Sequence, residues 1–155
     1  MQSISQLLID DLKERLTQDV LGEIALETLD GIDKLKNEKT ERGLSPIKGF
    51  PSYERYSERY AKHKERSSIH WNGGIVNLRY SSNGTDSIAN TRKILDGGAA
   101  SLRFNNPDKG NIFQSHDEGE DGMPKRQIFP HTVDQVPEEW DELARQAISK
   151  VLDAH

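Results

Sequence analysis

The chain contains no cysteine. That absence removes thiol nucleophiles, CxxC redox chemistry, cysteine-bearing zinc sites and disulfide staples together, so stability has to come from packing or assembly. Apolar residues are also scarce: the hydrophobic fraction is 33% and the aromatic fraction 6%, whereas globular chains run at about 45–50% apolar when glycine is counted. No stretch approaches the roughly 18 consecutive apolar residues of a membrane span. The opening Met1-Gln2-Ser3-Ile4 has neither a basic n-region nor an apolar h-region, so neither a membrane helix nor a secretory signal is expected. A basic surplus is missing too. The net charge of −5 argues against a generic DNA-coating protein.

What the chain has is charge, and the charge is unevenly placed. Residues 1–38 carry 4 basic and 9 acidic side chains, residues 39–66 carry 8 and 4, and residues 117–142 carry 2 and 9. Opposed patches of this kind can meet within one fold or between copies of the chain. The length of 155 residues predicts a single domain over 1–155, with a loop and helix insertion at about 37–72.

Periodicity sets out an α+β fold, a small antiparallel sheet flanked by a long N-terminal helix and an amphipathic C-terminal helix. Residues 4–36 read as helix, with Ile4, Leu8, Leu12, Leu16, Val20 and Ile24 every four residues. That element is either one long helix, apolar on most sides, or two helices broken at Gly22 or Gly31. Residues 37–52, with Gly43, Pro46, Gly49 and Pro51, read as loop. Tyr53, Tyr56 and Tyr60 follow at helical spacing among Arg55, Arg59, Lys62, Lys64 and Arg66. Rings between cations suit a protein interface or a nucleic-acid platform. Short strands are expected at Ile75–Leu78, at Ile88–Leu95 paired with Ala99–Phe104 across Gly97-Gly98, and at Gln127-Ile128-Phe129, stopped by Pro130. Ile112–His116 reads as strand or short helix. The final helix starts at Pro137 and sets Trp140, Leu143, Ala144, Ala147, Ile148, Val151 and Leu152 on its apolar stripe, which is expected to pack on the sheet.

No catalytic motif is present: there is no GxSxG, Walker A loop or GxGxxG. His116-Asp117-Glu118-Gly119-Glu120-Asp121-Gly122 gathers the most metal-ligand types. As a calcium loop it fails, because Gly119 stands third and Ile128 twelfth. A metal-dependent hydrolase would need His116, Asp117, Glu118 and His131 to converge. A nucleic-acid-binding regulator would use the 53–66 segment. No catalytic residue, metal or cofactor is assigned.

Three stretches occur in order: Gly43-Leu44-Ser45-Pro46-Ile47-Lys48-Gly49 ahead of the tyrosines; Asn77-Leu78 with Ser82-Asn83-Gly84 and Ser87-Ile88; and His116-Asp117-Glu118-Gly119 leading to Pro124-Lys125-Arg126-Gln127-Ile128-Phe129-Pro130 before an amphipathic helix. Together, over about residues 40–150, they resemble the tail-completion and neck proteins of tailed bacteriophages. The departures are Ser82-Asn83-Gly84 in place of a Thr-Gly pair and an acidic insertion, Glu120-Asp121. The resemblance implies a structural virion protein, assembled in the host cytoplasm into a homo-oligomeric, six-fold ring at the head–tail junction. Its partners would be connector, neck or tail proteins, and genomic DNA would pass through without specific binding. Assembly contacts are then expected from Tyr53, Tyr56, Tyr60, Arg55, Arg59, Arg126 and Phe129. Asp117, Glu118, Glu120 and Asp121 are expected to face the lumen, where like charge keeps a polyanion off the wall.

Overall fold

The structure is a computed structural model that describes residues 4–68, 71–78, 91–96, 98–104, 114–120 and 124–155. The fold is α+β. Helices α1 (Ile4–Arg15), α2 (Gln18–Glu41) and α3 (Glu58–Ser67) precede a two-stranded sheet of β1 (Thr91–Asp96) and β2 (Ala99–Phe104). A short helix α4 follows at 114–118, then a 3-10 turn at Val133–Gln135 and the last helix α5 (Glu138–Ala154). The chain gathers into two compact units, each assembled from separate stretches. One holds Met1–Ile32, Lys93–Leu102 and Glu139–His155; the other holds Asp33–Arg92 and Arg103–Glu138.

The first unit is organised along α2. Neither glycine breaks the N-terminal helical segment; the break falls at Leu16-Thr17. Thr17 accepts a hydrogen bond on Oγ1 from the Val20 backbone N–H at 3.3 Å and so caps α2, which supplies a partner for one orphan donor of the first turn. Gly31 lies within α2 where α5 passes close by, and a Cβ there would stand 2.8 Å from Leu143 Cδ2. Helix α5 runs antiparallel to α2, with Leu143 against Gly31, Lys150 paired to Glu27 at 2.6 Å and His155 hydrogen-bonded to Glu23 at 3.0 Å. Arg15 adds a hydrogen bond from its guanidinium to the Leu152 carbonyl. On α5, Ala147 and Val151 are buried, whereas Ile148 is 42% exposed. The expected apolar stripe is therefore narrower than its sequence. Ile148 lies about 100° round from Ala147 and falls beyond the face that α2 covers. The β1–β2 hairpin also meets α2, through an ion pair between Lys93 and Asp30 and through Gly98, whose Cβ would stand 3.4 Å from that of Leu21.

Among its described residues, the second unit has little regular structure besides the end of α2, α3, α4 and the 3-10 turn at Val133–Gln135. Its apolar centre is Tyr53, Val76, Leu78 and Ile128, with Phe50, Tyr56 and Phe129 packed against it. The helix expected over 53–66 starts only at Glu58. Ser57 caps it, accepting from the Tyr60 N–H, while Tyr53 is turned into the core. Two expected strands are absent: 75–78 and 127–129 are irregular, and neither takes part in a ladder. The sequence pattern reports burial correctly, since Val76, Leu78 and Ile128 are at most 3% exposed. Burial without a neighbouring strand of matching register does not make a sheet. Leu78 is the one non-glycine described at positive φ (52°), a conformation that costs roughly 1–2 kcal/mol and is offset by complete burial of its side chain. Of the remaining expectations, Ile88–Asn90, Gly97 and 112–113 lie outside the described residues. The insertion at 37–72 is no appendage, because Ser45, Pro46, Ile47 and Tyr53 are buried in this unit.

Truncating Ile128, 1% exposed in this small core, leaves a cavity that few neighbours can fill. Ile128→Ala is expected to cost about 2–5 kcal/mol, read as a fall in the denaturation midpoint with little change in helical circular dichroism at low denaturant.

Candidate functional site

The polar side chains of the second unit converge on the stretch 124–131. Where a strand would bond its neighbour, this backbone bonds the His116 carbonyl through the Arg126 N–H and otherwise mostly side chains. The Asp117 carboxylate, at the end of α4, accepts the N–H groups of Ile128 and Phe129, and its other oxygen meets Nε2 of His131. The carbonyl of Gln127 accepts from the Ser45 hydroxyl at 2.9 Å and the Tyr53 hydroxyl at 3.0 Å. The Gln127 amide donates to the Phe129 carbonyl and to Gln135 Oε1, which also accepts from the His131 N–H. Gln127 itself is 1% exposed. A buried polar chain of this kind is stabilising only when its members are satisfied.

Beside it lies a cluster of cations and aromatics. Arg126 is 4% exposed; it donates from Nη1 to His116 Nδ1 at 3.2 Å and from Nη2 to the Glu54 carbonyl at 3.3 Å. Arginine can only donate, so His116 must be neutral with Nδ1 as acceptor. Burial, with the guanidinium beside it, lowers the His116 pKa to about 4, against a weaker opposing hydrogen bond to Pro124. Lys64, 2% exposed, donates to Tyr56 Oη at 2.8 Å and Asn77 Oδ1 at 2.6 Å. Lys64 and Arg126 both approach the Tyr56 ring, at 4.6 and 5.4 Å from its centroid, within the range of cation–π attraction. Burial raises the Tyr53 pKa and takes that of Tyr56 up to about 12. A third interior cation, Lys36, is paired to Asp33 at 2.5 Å, and burial lowers its pKa.

The candidate residues from the sequence thus separate. Tyr53, Arg126 and Asp117 are buried, Tyr56, Tyr60 and Phe129 are half-buried, and Arg55, Arg59, Glu118 and Glu120 are exposed. Asp121 lies outside the described residues. Asp117 is a correction: its carboxylate turns inward to two backbone N–H groups and so does not join the outward acidic loop. Arg126 likewise faces the interior. Ser45, Lys64, Asn77, Gln127 and Gln135 were not foreseen as site residues. No periodic signal marks a polar side chain that will be buried for the sake of a distant backbone group.

The Asp117–His131 pair looks chemically capable, since a buried carboxylate orients an imidazole that is 45% exposed. General-base use also needs a nucleophile within hydrogen-bond reach. Among the described residues no hydroxyl bonds His131. No group of three or more His, Asp or Glu among the described residues is placed to hold a metal ion.

An open groove of about 460 Å³ lies on the same unit, lined by Arg42, Ser52, Tyr53, Arg55, Tyr56, Ala61, Gly73 and Ile75 among others. Gly43 ends α2 at positive φ, with the N–H groups of Gly43 and Leu44 returning to the carbonyls of Thr40 and Lys39, the Schellman arrangement. A Cβ on Gly43 would lie 2.9 Å from Ile75 Cγ2, so this glycine lets the wall of the groove close up. No family model, curated protein or solved structure matches the chain.

Removing the Asp117 carboxylate orphans two N–H groups at once, one of them buried. Asp117→Ala is expected to cost about 2–4 kcal/mol of unfolding free energy in denaturant titration, while Glu118→Ala, on the exposed side of the same helix, is expected to change it by less than about 0.5 kcal/mol. His116 makes stability pH-dependent. Its folded pKa lies below the unfolded value of 6.5, so the unfolded chain binds more protons between them. Stability is complete above pH 6.5 and falls by up to roughly 3 kcal/mol as pH drops toward 4. Melting curves from pH 7 to 5 check this, and His116→Gln is expected to flatten the upper part of that fall.

Proposed function

We propose that this chain is a structural subunit that self-assembles into a ring at the head–tail junction of a tailed bacteriophage, joining the head connector to the tail. The observation that carries the assembly reading is α1. None of its residues is buried, and it exposes Ile4 (78%), Leu7 (54%), Leu8 (60%), Ile9 (47%) and Leu12 (45%). A helix of 12 residues is marginal in water by its own propensity, and a run of exposed leucines is the mark of a surface that another protein covers.

The placement at a phage neck rests on the resemblance over residues 40–150. Supporting it, residues from all three resembling stretches take part in the same core: Ser45 bonds Gln127, Lys64 bonds Asn77 next to Leu78, and His116 and Asp117 bond 126–129. Their shared purpose is to hold a fold, which suits a building block. In such a ring Glu118 and Glu120 are the described acidic side chains of that loop left to line the bore. Arg55, Arg59 and Lys62 belong at contacts between subunits or rings.

Sedimentation velocity and negative-stain micrographs of the purified chain test the proposal. The expected result is concentration-dependent oligomers with a central hole. Leu8→Glu with Leu12→Glu is expected to leave a folded monomer. A wild-type chain that stays monomeric at high concentration overturns the reading, as does tight, salt-sensitive duplex binding by the assembled form.

A further inference from the structure

The groove on the second unit has the opposite character to α1. Its lining includes Ile75, a large apolar side chain left 45% exposed, beside Tyr53, Tyr56 and Val76. Over this apolar surface stand Arg42 and Arg55, both exposed, and neither guanidinium is hydrogen-bonded or ion-paired to any described residue. Its volume of about 460 Å³ is within the roughly 300–1,000 Å³ of ordinary binding clefts. Such a groove suits a segment that offers apolar side chains and carboxylates a few residues apart.

Helix α1 is such a segment. Leu7 and Leu8 precede Asp11 by four and three residues, the spacing that places side chains together on a helix surface, and Leu12 continues the Leu8 row. Asp11 has no hydrogen-bond or ion-pair partner among the described residues, and Asp10 accepts only from Gln6 one turn earlier. The chain therefore carries two unsatisfied surfaces of matching chemistry, one apolar with acids and one apolar with arginines.

We infer that α1 of one copy docks in the Arg42–Arg55 groove of a second copy, its leucines against Ile75 and the tyrosines and its Asp10 and Asp11 against the two guanidiniums. This rests on the reading of the chain as self-assembling and names the two faces that assemble. Because the faces differ, the contact is heterologous, and repetition closes a ring when the rotation per subunit divides a full turn. Carboxylate–guanidinium pairing at its edge sets register and makes association sensitive to salt.

Charge exchange tests the pairing on the full chain. One variant carries Asp10→Lys and Asp11→Lys, the other Arg42→Glu and Arg55→Glu; all four positions are exposed, and circular dichroism confirms that each variant is folded. Alone, each variant sets like charge against like charge and is expected to self-associate at least about tenfold more weakly than wild type. Mixed in equal amounts, the two restore opposite charges at every contact, and the wild-type assembly is expected to return in sedimentation equilibrium. If wild type assembles but either variant alone associates equally well, or the mixture is no tighter than the variants alone, the α1–groove pairing is wrong and the assembly reading survives. A monomeric wild type instead removes the assembly reading and this pairing with it.

Discussion

The carboxylate of Asp117 is the constraint on which the second unit depends. It lies at the end of a short helix and binds the backbone of Ile128 and Phe129, directly beside Gln127, whose own carbonyl holds Ser45 and Tyr53. A buried backbone must place every N–H and C=O somewhere. Here side chains take most of the part that a sheet ladder takes elsewhere, so a stretch with no regular structure can carry the centre of the core. The arrangement stands or falls together, because each member orders the loop that supplies the next.

The same economy explains the three interior cations among the described residues. Lys36, Lys64 and Arg126 are each at most 4% exposed, a situation tolerated only where hydrogen bonds and opposing charge or aromatic faces replace water. Arg126 is met by His116, a backbone carbonyl and the Tyr56 ring; Lys64 is met by a phenol, an amide and the same ring. With so few apolar residues to bury, the chain uses the long stems of lysine and arginine as core material and hydrogen-bonds their ends. The charged ends of Lys64 and Arg126 are thereby hydrogen-bonded to groups on loops that they hold in place. Among the described residues, an apolar helix and a basic, partly apolar groove are left facing outward.

Much of the fold was legible in the sequence. The α+β class, the pairing of β1 with β2 and the final helix after Pro137 follow from periodicity and turn chemistry, which are local. Glycine propensity points to a break at Gly22 or Gly31, but the break falls at Leu16-Thr17, where the threonine caps α2, while Leu143 occupies the space a side chain at Gly31 would need. The residues 75–78 and 127–129 are irregular although they carry a strand pattern, because alternation and β-branching report that residues are buried, not that another strand lies alongside.

The candidate site was less legible than the fold. Tyr53, Tyr56, Arg126 and Asp117 stand out in the sequence as aromatic, basic and acidic residues in charged segments, which suggests surface. Their burial comes with partners 8 to 74 positions away, and most of these no local pattern encodes. The sequence by itself determined composition, charge segregation, helical stretches and the absence of thiol chemistry, since each depends on residues close together in the chain. Only the tertiary structure decided which polar groups turn inward, because that depends on which distant backbone atoms would otherwise be buried without a hydrogen bond.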